Sequence, residues 1–336
     1  MINAAFGAEE RRTDMDKKFN IVVLDGNTTN PGDLSWSALE EFGSVTVYDR
    51  STLKSEVIER GKDADMLLTN KSIIDEEVMR SCPKLKYIGV IATGYNVVDL
   101  QYARSAGITV TNAPAYSTEA VVQMVFALLF EITNKVALHN AAVKNGEWAN
   151  SIDFTFWKTP LISIAGKTLG IVGYGEIGRS VCAAAKAFGM NVLVNTRTPS
   201  KVNDPDVKVV SLDELYAQSD IVSLHCPLTD VNKGMINAEA IRKMKDGVII
   251  LNTARGPLVN ERDLADALKS GKVFAAGCDV VSKEPMSPDN PLLECENCII
   301  TPHIAWAAKE TRQKLIDIVA NNIRCYLNGK PQNVVN

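Results

Sequence analysis

Leu169-Gly170-Ile171-Val172-Gly173-Tyr174-Gly175-Glu176-Ile177-Gly178-Arg179 is the stretch on which the reading of this chain turns. An apolar run, Thr168–Val172, leads straight into a GxGxxG, and a helical pattern, Arg179–Phe188, leads straight out of it. A GxGxxG by itself is a weak signal. Between a strand and a helix it has a mechanism: Gly173 permits the tight turn, Gly175 lets the backbone approach a pyrophosphate, and Gly178 lets helix and strand pack closely. The pyrophosphate then rests on the free N–H groups at the helix start, contributed by Gly173, Tyr174, Gly175, Glu176, Ile177 and Gly178.

Outward from this point, short β-branched runs alternate with helical patterns. Strands are expected at Ile21–Leu24, Val45–Tyr48, Met66–Leu68, Tyr87–Ile91 and Ile108–Val110, and later at Thr168–Val172, Asn191–Asn195, Ile221–His225, Val248–Leu251, Val273–Ala276 and Cys298–Ile300. These runs are continuously apolar, the pattern of parallel sheets covered on both faces. The expected class is therefore α/β, with two doubly wound parallel-sheet domains. One long helix is expected from Thr118 to about Lys144, then an irregular aromatic stretch with Trp148, Phe154, Phe156 and Trp157. A last helix, about Ala308–Leu327, carries apolar residues at helical spacing and is expected to return to the first domain. A Rossmann nucleotide domain, residues 114–304, would then be inserted into a flavodoxin-like substrate domain made of residues 1–113 plus 305–336.

Bulk properties narrow the function. The 336 residues carry a net charge of −4 with no basic run, which argues against nucleic-acid binding. No apolar stretch approaches the ~18 residues of a membrane span. The polar start lacks the apolar core of a secretory signal and reads as a frayed extension, with Met15 an alternative to Met1 as the natural start. Seven scattered cysteines fit reduced thiols in a cytoplasm. Cys295-Glu296-Asn297-Cys298 has no second ligand pair nearby, so no metal site is expected.

The end of the second strand of the nucleotide domain decides between cofactors. A site for NAD usually has an acid there, for the ribose hydroxyl. Here the stretch is Val194-Asn195-Thr196-Arg197-Thr198, and Arg197 with the two hydroxyls could hold a 2′-phosphate instead. The cofactor is read as NAD(P), leaning to NADP(H). Use of NAD without the acid contact stays open.

Interconverting a carbonyl and an alcohol needs a cation for the substrate, a proton donor and a group that tunes the donor. Of the three histidines, His139 sits on a helix face. His225, in His225-Cys226-Pro227, stands at a strand end where it could line the cofactor site. His303, in Thr301-Pro302-His303-Ile304-Ala305-Trp306, follows another strand and suits general acid–base work. Arg255, in Asn252-Thr253-Ala254-Arg255-Gly256, can hold a carboxylate with both arms of its fork. Glu284 follows a further strand, in Asp279-Val280-Val281-Ser282-Lys283-Glu284-Pro285. Any one of the three could be a surface loop residue; three at successive strand ends point to a site.

These segments, with Val222–Thr229, resemble the D-isomer-specific 2-hydroxyacid dehydrogenases in order and spacing, over about Asn20 to Val335. The resemblance implies that Arg255 binds the substrate carboxylate, that His303 is the acid–base, and that Glu284 pairs with it. It implies cofactor contacts from His225, Cys226, Pro227, Thr253, Ala254 and His303, and a nicotinamide carboxamide held by Asp279. It assigns Ala92, Thr93 and Gly94 to the substrate carboxylate through backbone N–H groups. Tyr95-Asn96-Val97-Val98-Asp99 and Asp153–Trp157 look like the glycerate dehydrogenase/hydroxypyruvate reductase branch. Trp157 and Trp306 are further substrate-contact candidates, and a homodimer is expected. D-Lactate, phosphoglycerate or a bulkier 2-keto acid remain alternative substrates. Some members of this superfamily are transcriptional corepressors that use the nucleotide as a switch, but the complete triad favours catalysis here.

Overall fold

The computed structural model describes residues 19–336. The frayed extension and the alternative start at Met15 lie outside the described residues. The chain divides into two compact units, one running to Tyr116 and resuming over Ala307–Asn336, the other spanning Ser117–Trp306.

The first unit holds five parallel strands: β1 (Phe19–Val23), β2 (Gly43–Val47), β3 (Met66–Thr69), β4 (Tyr87–Val90) and β5 (Thr109–Thr111). Their order is β2-β1-β3-β4-β5, the flavodoxin-like arrangement. Every residue of β3 and β4 is buried, whereas β2 lies on the edge and is largely exposed. The Lys309–Leu327 helix buries Leu315, Ile316, Val319, Ala320 and Ile323. Its Arg312 grips Asp33 with both arms (2.8 and 2.7 Å) and also donates to the Thr29 carbonyl at 3.0 Å. The tail then runs along β5, where the Val335 N–H donates to the Val110 carbonyl and the Val110 N–H to Asn336 Oδ1, both at 2.9 Å. An edge strand that would otherwise present unpaired groups is thereby covered.

The second unit holds seven parallel strands: β6 (Thr168–Val172), β7 (Asn191–Asn195), β8 (Lys208–Val209), β9 (Ile221–Leu224), β10 (Val248–Asn252), β11 (Val273–Cys278) and β12 (Cys298–Ile300). The order is β12-β11-β10-β9-β6-β7-β8. The chain leaves β6 in one direction and returns to its other side with β9, which makes a switch point of the kind at which ligands bind. One face of the sheet is covered by Val125, Leu128, Leu129 and Ile132 of the Thr118–Asn134 helix, the other by Leu215, Ile241, Leu264 and Leu268.

One local expectation fails, and one strand went unread. The long helix is two: Lys135, at φ 50°, ends Thr118–Asn134 and starts Val136–Lys144 with a bend of 54°. The apolar spacing runs on through the break because Val136, Leu138 and Val143 continue it on an exposed face. Among the described residues no single helix is long and apolar enough to cross a membrane. The second miss is β8, whose two residues are both exposed and too few to show a pattern.

Candidate active site

Because β10, β11 and β12 are parallel neighbours, their carboxyl ends share one edge of the sheet, and Arg255, Glu284 and His303 follow those ends in turn. The loops after β10 and β12 are each shaped by a buried polar side chain, Asn252 and Asp279. After β10, Asn252 folds the chain back on itself: its Nδ2 donates to the Arg255 carbonyl at 2.9 Å and its Oδ1 accepts the Ala254 N–H at 3.1 Å. The Arg255 guanidinium donates to the Ala254 carbonyl at 2.7 Å and forms no ion pair among the described residues. It is an exposed cation with capacity left for a carboxylate.

After β11 comes Glu284. Its Oε1 accepts the Val281 N–H at 3.2 Å, and its Oε2 accepts a hydrogen bond from His303 Nδ1 at 2.7 Å. That bond fixes the tautomer, since a carboxylate can only accept, and it leaves Nε2 as the nitrogen available to a substrate. The two side chains are 34% and 36% exposed, so the pair is reachable from solvent. His303 itself has φ 55°, a conformation that non-glycine residues adopt only when held there. Asp279 holds it. This fully buried carboxylate accepts Thr301 Oγ1 at 2.6 Å and the Ile304 and Ala305 N–H groups at 2.9 Å each, while its own carbonyl accepts the His303 N–H at 2.8 Å. Gly256 completes the packing. A Cβ there would stand 1.9 Å from the Val281 carbonyl carbon, so the arginine and glutamate loops touch backbone to backbone.

The nucleotide end of the unit fits a dinucleotide. Gly173 has φ 98°, and a Cβ on it would lie 2.6 Å from the Cys226 backbone N. A Cβ on Gly178 would lie 2.2 Å from the Gly173 carbonyl oxygen, whereas the space over Gly175 is open. Gly175 caps the Glu176–Ala187 helix without a side-chain acceptor, so the first N–H groups of the helix remain available to an anion. Beside β10, the buried Thr253 Oγ1 has no hydrogen-bond partner among the described residues, which is the mark of a polar atom awaiting a ligand.

The other expected cofactor residues fall around this edge. Past β7, Thr196 Oγ1 accepts the Thr198 N–H at 3.2 Å, and Arg197 is exposed, forms no ion pair among the described residues and acts electrostatically on Cys226. His225 stands just past β9, with its N–H on the Val172 carbonyl at 2.7 Å and its Nε2 against Ser223 Oγ at 2.8 Å. Part of the residue stays exposed, but the surrounding protein desolvates the imidazole and pushes its pKa down to about 4, so it is neutral. Tyr174 is left with the backbone role expected of it. Its side chain packs on the core, and burial pushes the phenol up to about 12. Ile177 packs there too. Both therefore offer a cofactor only their backbone.

The remaining expected residues are placed as follows. In the first unit, Ala92 accepts the Ala113 N–H at 3.0 Å, Thr93 Oγ1 donates to the Ala113 carbonyl at 3.0 Å, and Asn112 Nδ2 donates to the Thr93 carbonyl at 2.8 Å. Gly94 follows in the same loop, which leads away from β4. Trp157 is 66% exposed and makes no hydrogen bond or ring contact with the triad; Trp306 is half-buried. Reading the sequence missed Asn252 and Glu261, and it missed the hold of Asp279 on the histidine loop. The position of Asn252 at the last residue of a strand was a signal, but Glu261 gave none.

A dinucleotide fingerprint, a histidine–glutamate pair and an arginine with no ion-pair partner among the described residues, all on one unit, define an NAD(P)-dependent dehydrogenase. The chain belongs to the D-isomer-specific 2-hydroxyacid dehydrogenase family: residues 126–305 match the model of that family's NAD-binding domain. It is 52% identical to the hydroxypyruvate reductase of Blautia hydrogenotrophica, over 94% of this chain and 99% of the relative. It is 40% identical to the glycerate dehydrogenase of Methylorubrum extorquens, over 86% of this chain and 90% of the relative. Among solved structures, an acyclic imino acid reductase in complex with NADPH and D-Arg superposes with a TM-score of 0.81 at 31% identity, covering 94% of this chain and 100% of that one.

Proposed function

We propose that the protein reduces hydroxypyruvate to D-glycerate, acts on glyoxylate as a smaller substrate, and prefers NADPH. The observation that carries the reading is the 2.7 Å Glu284–His303 pair beside Arg255, whose charge no acid neutralises among the described residues. The names of the two relatives supply the substrate. Gly173, Gly175 and Gly178 at the start of the Glu176–Ala187 helix, with Thr253, would hold a nicotinamide dinucleotide, which would supply the hydride for C2 of the substrate. Arg255 holds the substrate carboxylate and stabilises charge building on the carbonyl oxygen. His303 gives that oxygen its proton from Nε2, and Glu284 steadies the imidazolium at Nδ1. Acid–base assistance of this kind is worth about 10²–10⁴-fold. Ala92, Thr93 and Gly94 keep their carboxylate-binding assignment.

The NADPH preference rests on Arg197. It stands just past β7, where an acid would repel a 2′-phosphate, and its sequence neighbours are the hydroxyls of Thr196 and Thr198. A homodimer is proposed from the apolar surface of Val136, Leu138, Trp148, Ile152, Phe154 and Trp157, all exposed in the isolated chain; light scattering reads it directly. A cytoplasmic location goes with the reduced thiols and the cofactor.

The test is a kinetic matrix of hydroxypyruvate, glyoxylate, pyruvate and phosphohydroxypyruvate against NADH and NADPH. The highest kcat/KM is expected for hydroxypyruvate with NADPH. A higher value for pyruvate or phosphohydroxypyruvate refutes the substrate, and a strong NADH preference refutes the cofactor.

A further inference from the structure

Glu261 opens the Glu261–Lys269 helix, but its carboxylate does not cap that helix; Asn260 does, accepting the Arg262 and Asp263 N–H groups. The Glu261 side chain reaches to the loop after β11. Its Oε1 accepts the Ser282 N–H at 2.7 Å, and its Oε2 accepts Ser282 Oγ at 2.6 Å and Asn290 Nδ2 at 3.0 Å. Three donors converge on one carboxylate, and hydrogen bonds to a charged acceptor are roughly twice as strong as neutral ones. Ser282 is held from a second side by Gly256, whose Cβ position lies 2.4 Å from the Ser282 backbone N. Two residues further on stands Glu284, oriented by the Val281 N–H on one oxygen and by His303 on the other. Only the Val281–Ser282 backbone separates the Glu261 clamp from the carboxylate that steadies the acid–base.

We propose that Glu261 is a positioning residue for the reaction: it fixes the loop through Ser282 so that Glu284 meets His303 Nδ1. The inference rests on the assignment of Glu284 and His303 given above. Arg255 and Glu261 flank the same turn, so one short segment both binds the substrate carboxylate and aligns the proton donor's partner. The bonds of the clamp go to Ser282 and Asn290. Its loss is read in turnover and not in cofactor affinity.

The test is a double-mutant cycle with Glu284, run on whichever 2-keto acid the wild-type enzyme reduces; failure to reduce hydroxypyruvate then counts against the substrate and leaves Glu261 to be judged separately. In Glu261→Ala, kcat/KM is expected to fall by about 10²-fold, the cost of a misplacement near 1 Å, with cofactor Kd unchanged. In the Glu284→Gln background the same substitution is expected to cost less than about twofold, because the residue through which it acts is already gone. Ser282→Ala keeps the backbone bond and removes only the hydroxyl bond; it should show a smaller loss with the same non-additivity, and it carries the cycle if Glu261→Ala does not fold. Effects that multiply in the double variants mean a merely structural clamp and overturn the proposal, as does wild-type kcat/KM in both single variants.

Discussion

Asp279→Asn separates what the geometry assigns to Asp279 from what the family resemblance assigns to it. The substitution keeps shape and volume but turns one of two accepting oxygens into an NH₂. In the wild-type protein Oδ1 accepts Thr301 Oγ1 and the Ile304 N–H, and Oδ2 accepts the Ala305 N–H. With the amide oxygen at the Oδ1 position, the NH₂ opposes the Ala305 N–H, donor against donor, at a buried residue. One charge-assisted bond is lost and one donor is stranded, each costing on the order of 1–3 kcal/mol; removing a buried charge gives part of that back. A net loss of about 3 kcal/mol follows, which for a unit of this size lowers Tm by about 6–12 °C. The same bonds hold residues 301–305 with His303 at φ 55°, so relaxation of that turn also draws the imidazole away from Glu284. A drop in kcat of about 10–100-fold is expected, with cofactor affinity unchanged. Calorimetry of the apoprotein gives the first number, steady-state cofactor oxidation the second, and fluorescence titration of the cofactor the third. A weakened cofactor Kd with Tm within about 2 °C of wild type and normal saturated kcat would refute the reasoning and return Asp279 to the nicotinamide carboxamide.

Three further outcomes can be stated. Gly256→Ala puts a methyl 1.9–2.4 Å from the Val281–Ser282 backbone, which cannot swing aside as a side chain can; a loss of at least about 3 kcal/mol in urea unfolding is expected, and a wild-type midpoint would contradict the packing described. Arg255→Lys keeps the charge but loses the two-armed fork, so kcat/KM should fall roughly 30- to 100-fold, the worth of one charged hydrogen bond, while cofactor Kd holds. His225 supplies a pH test. Its folded pKa is depressed from the ordinary 6.5 to about 4 by desolvation, so the unfolded chain takes up a proton that the native state refuses, and stability is lost as pH falls from about 6.5 to about 4. The loss is at most about 3 kcal/mol, and it should be missing from His225→Gln, which matches the wild-type slope only if the histidine is not desolvated.

What the sequence shows and what it hides divide along a physical line. The strands of the second unit other than β8 were legible because a parallel strand covered on both faces is apolar along most of its length, and Val248–Leu251 has no other use for such a run. The strand–GxGxxG–helix was legible because Gly173 and Gly178 answer backbone contacts that a Cβ would block, while Gly175 leaves open the space a pyrophosphate would approach. The break at Lys135 was not legible: a left-handed residue between two helices leaves the apolar spacing intact on either side, and a lysine there carries no local signature. At Tyr174 the backbone role was legible from the fingerprint, but the place of the phenol against the core was not.

The least legible layer is the one that sets the chemistry. Arg255, Glu284 and His303 can be picked out because strand ends and residue types mark them. Their geometry, however, is set by Asn252, Glu261 and Asp279, which hold backbone donors and acceptors across sequence separations from 2 to 26 residues. A carboxylate that holds N–H groups has no periodicity, no spacing rule and no compositional cost, so on paper Glu261 cannot be told from a solvated glutamate at a helix start. Asp279 is a sharper case, since a residue type that suits a carboxamide also suits two backbone N–H groups, and only the bonds it makes decide between them. Three loops are brought to one edge by the sheet, but a sheet edge places a side chain only to within the freedom of its loop. Asn252 and the two carboxylates remove that freedom, and with it the uncertainty of about 1 Å that separates a working proton donor from an idle one.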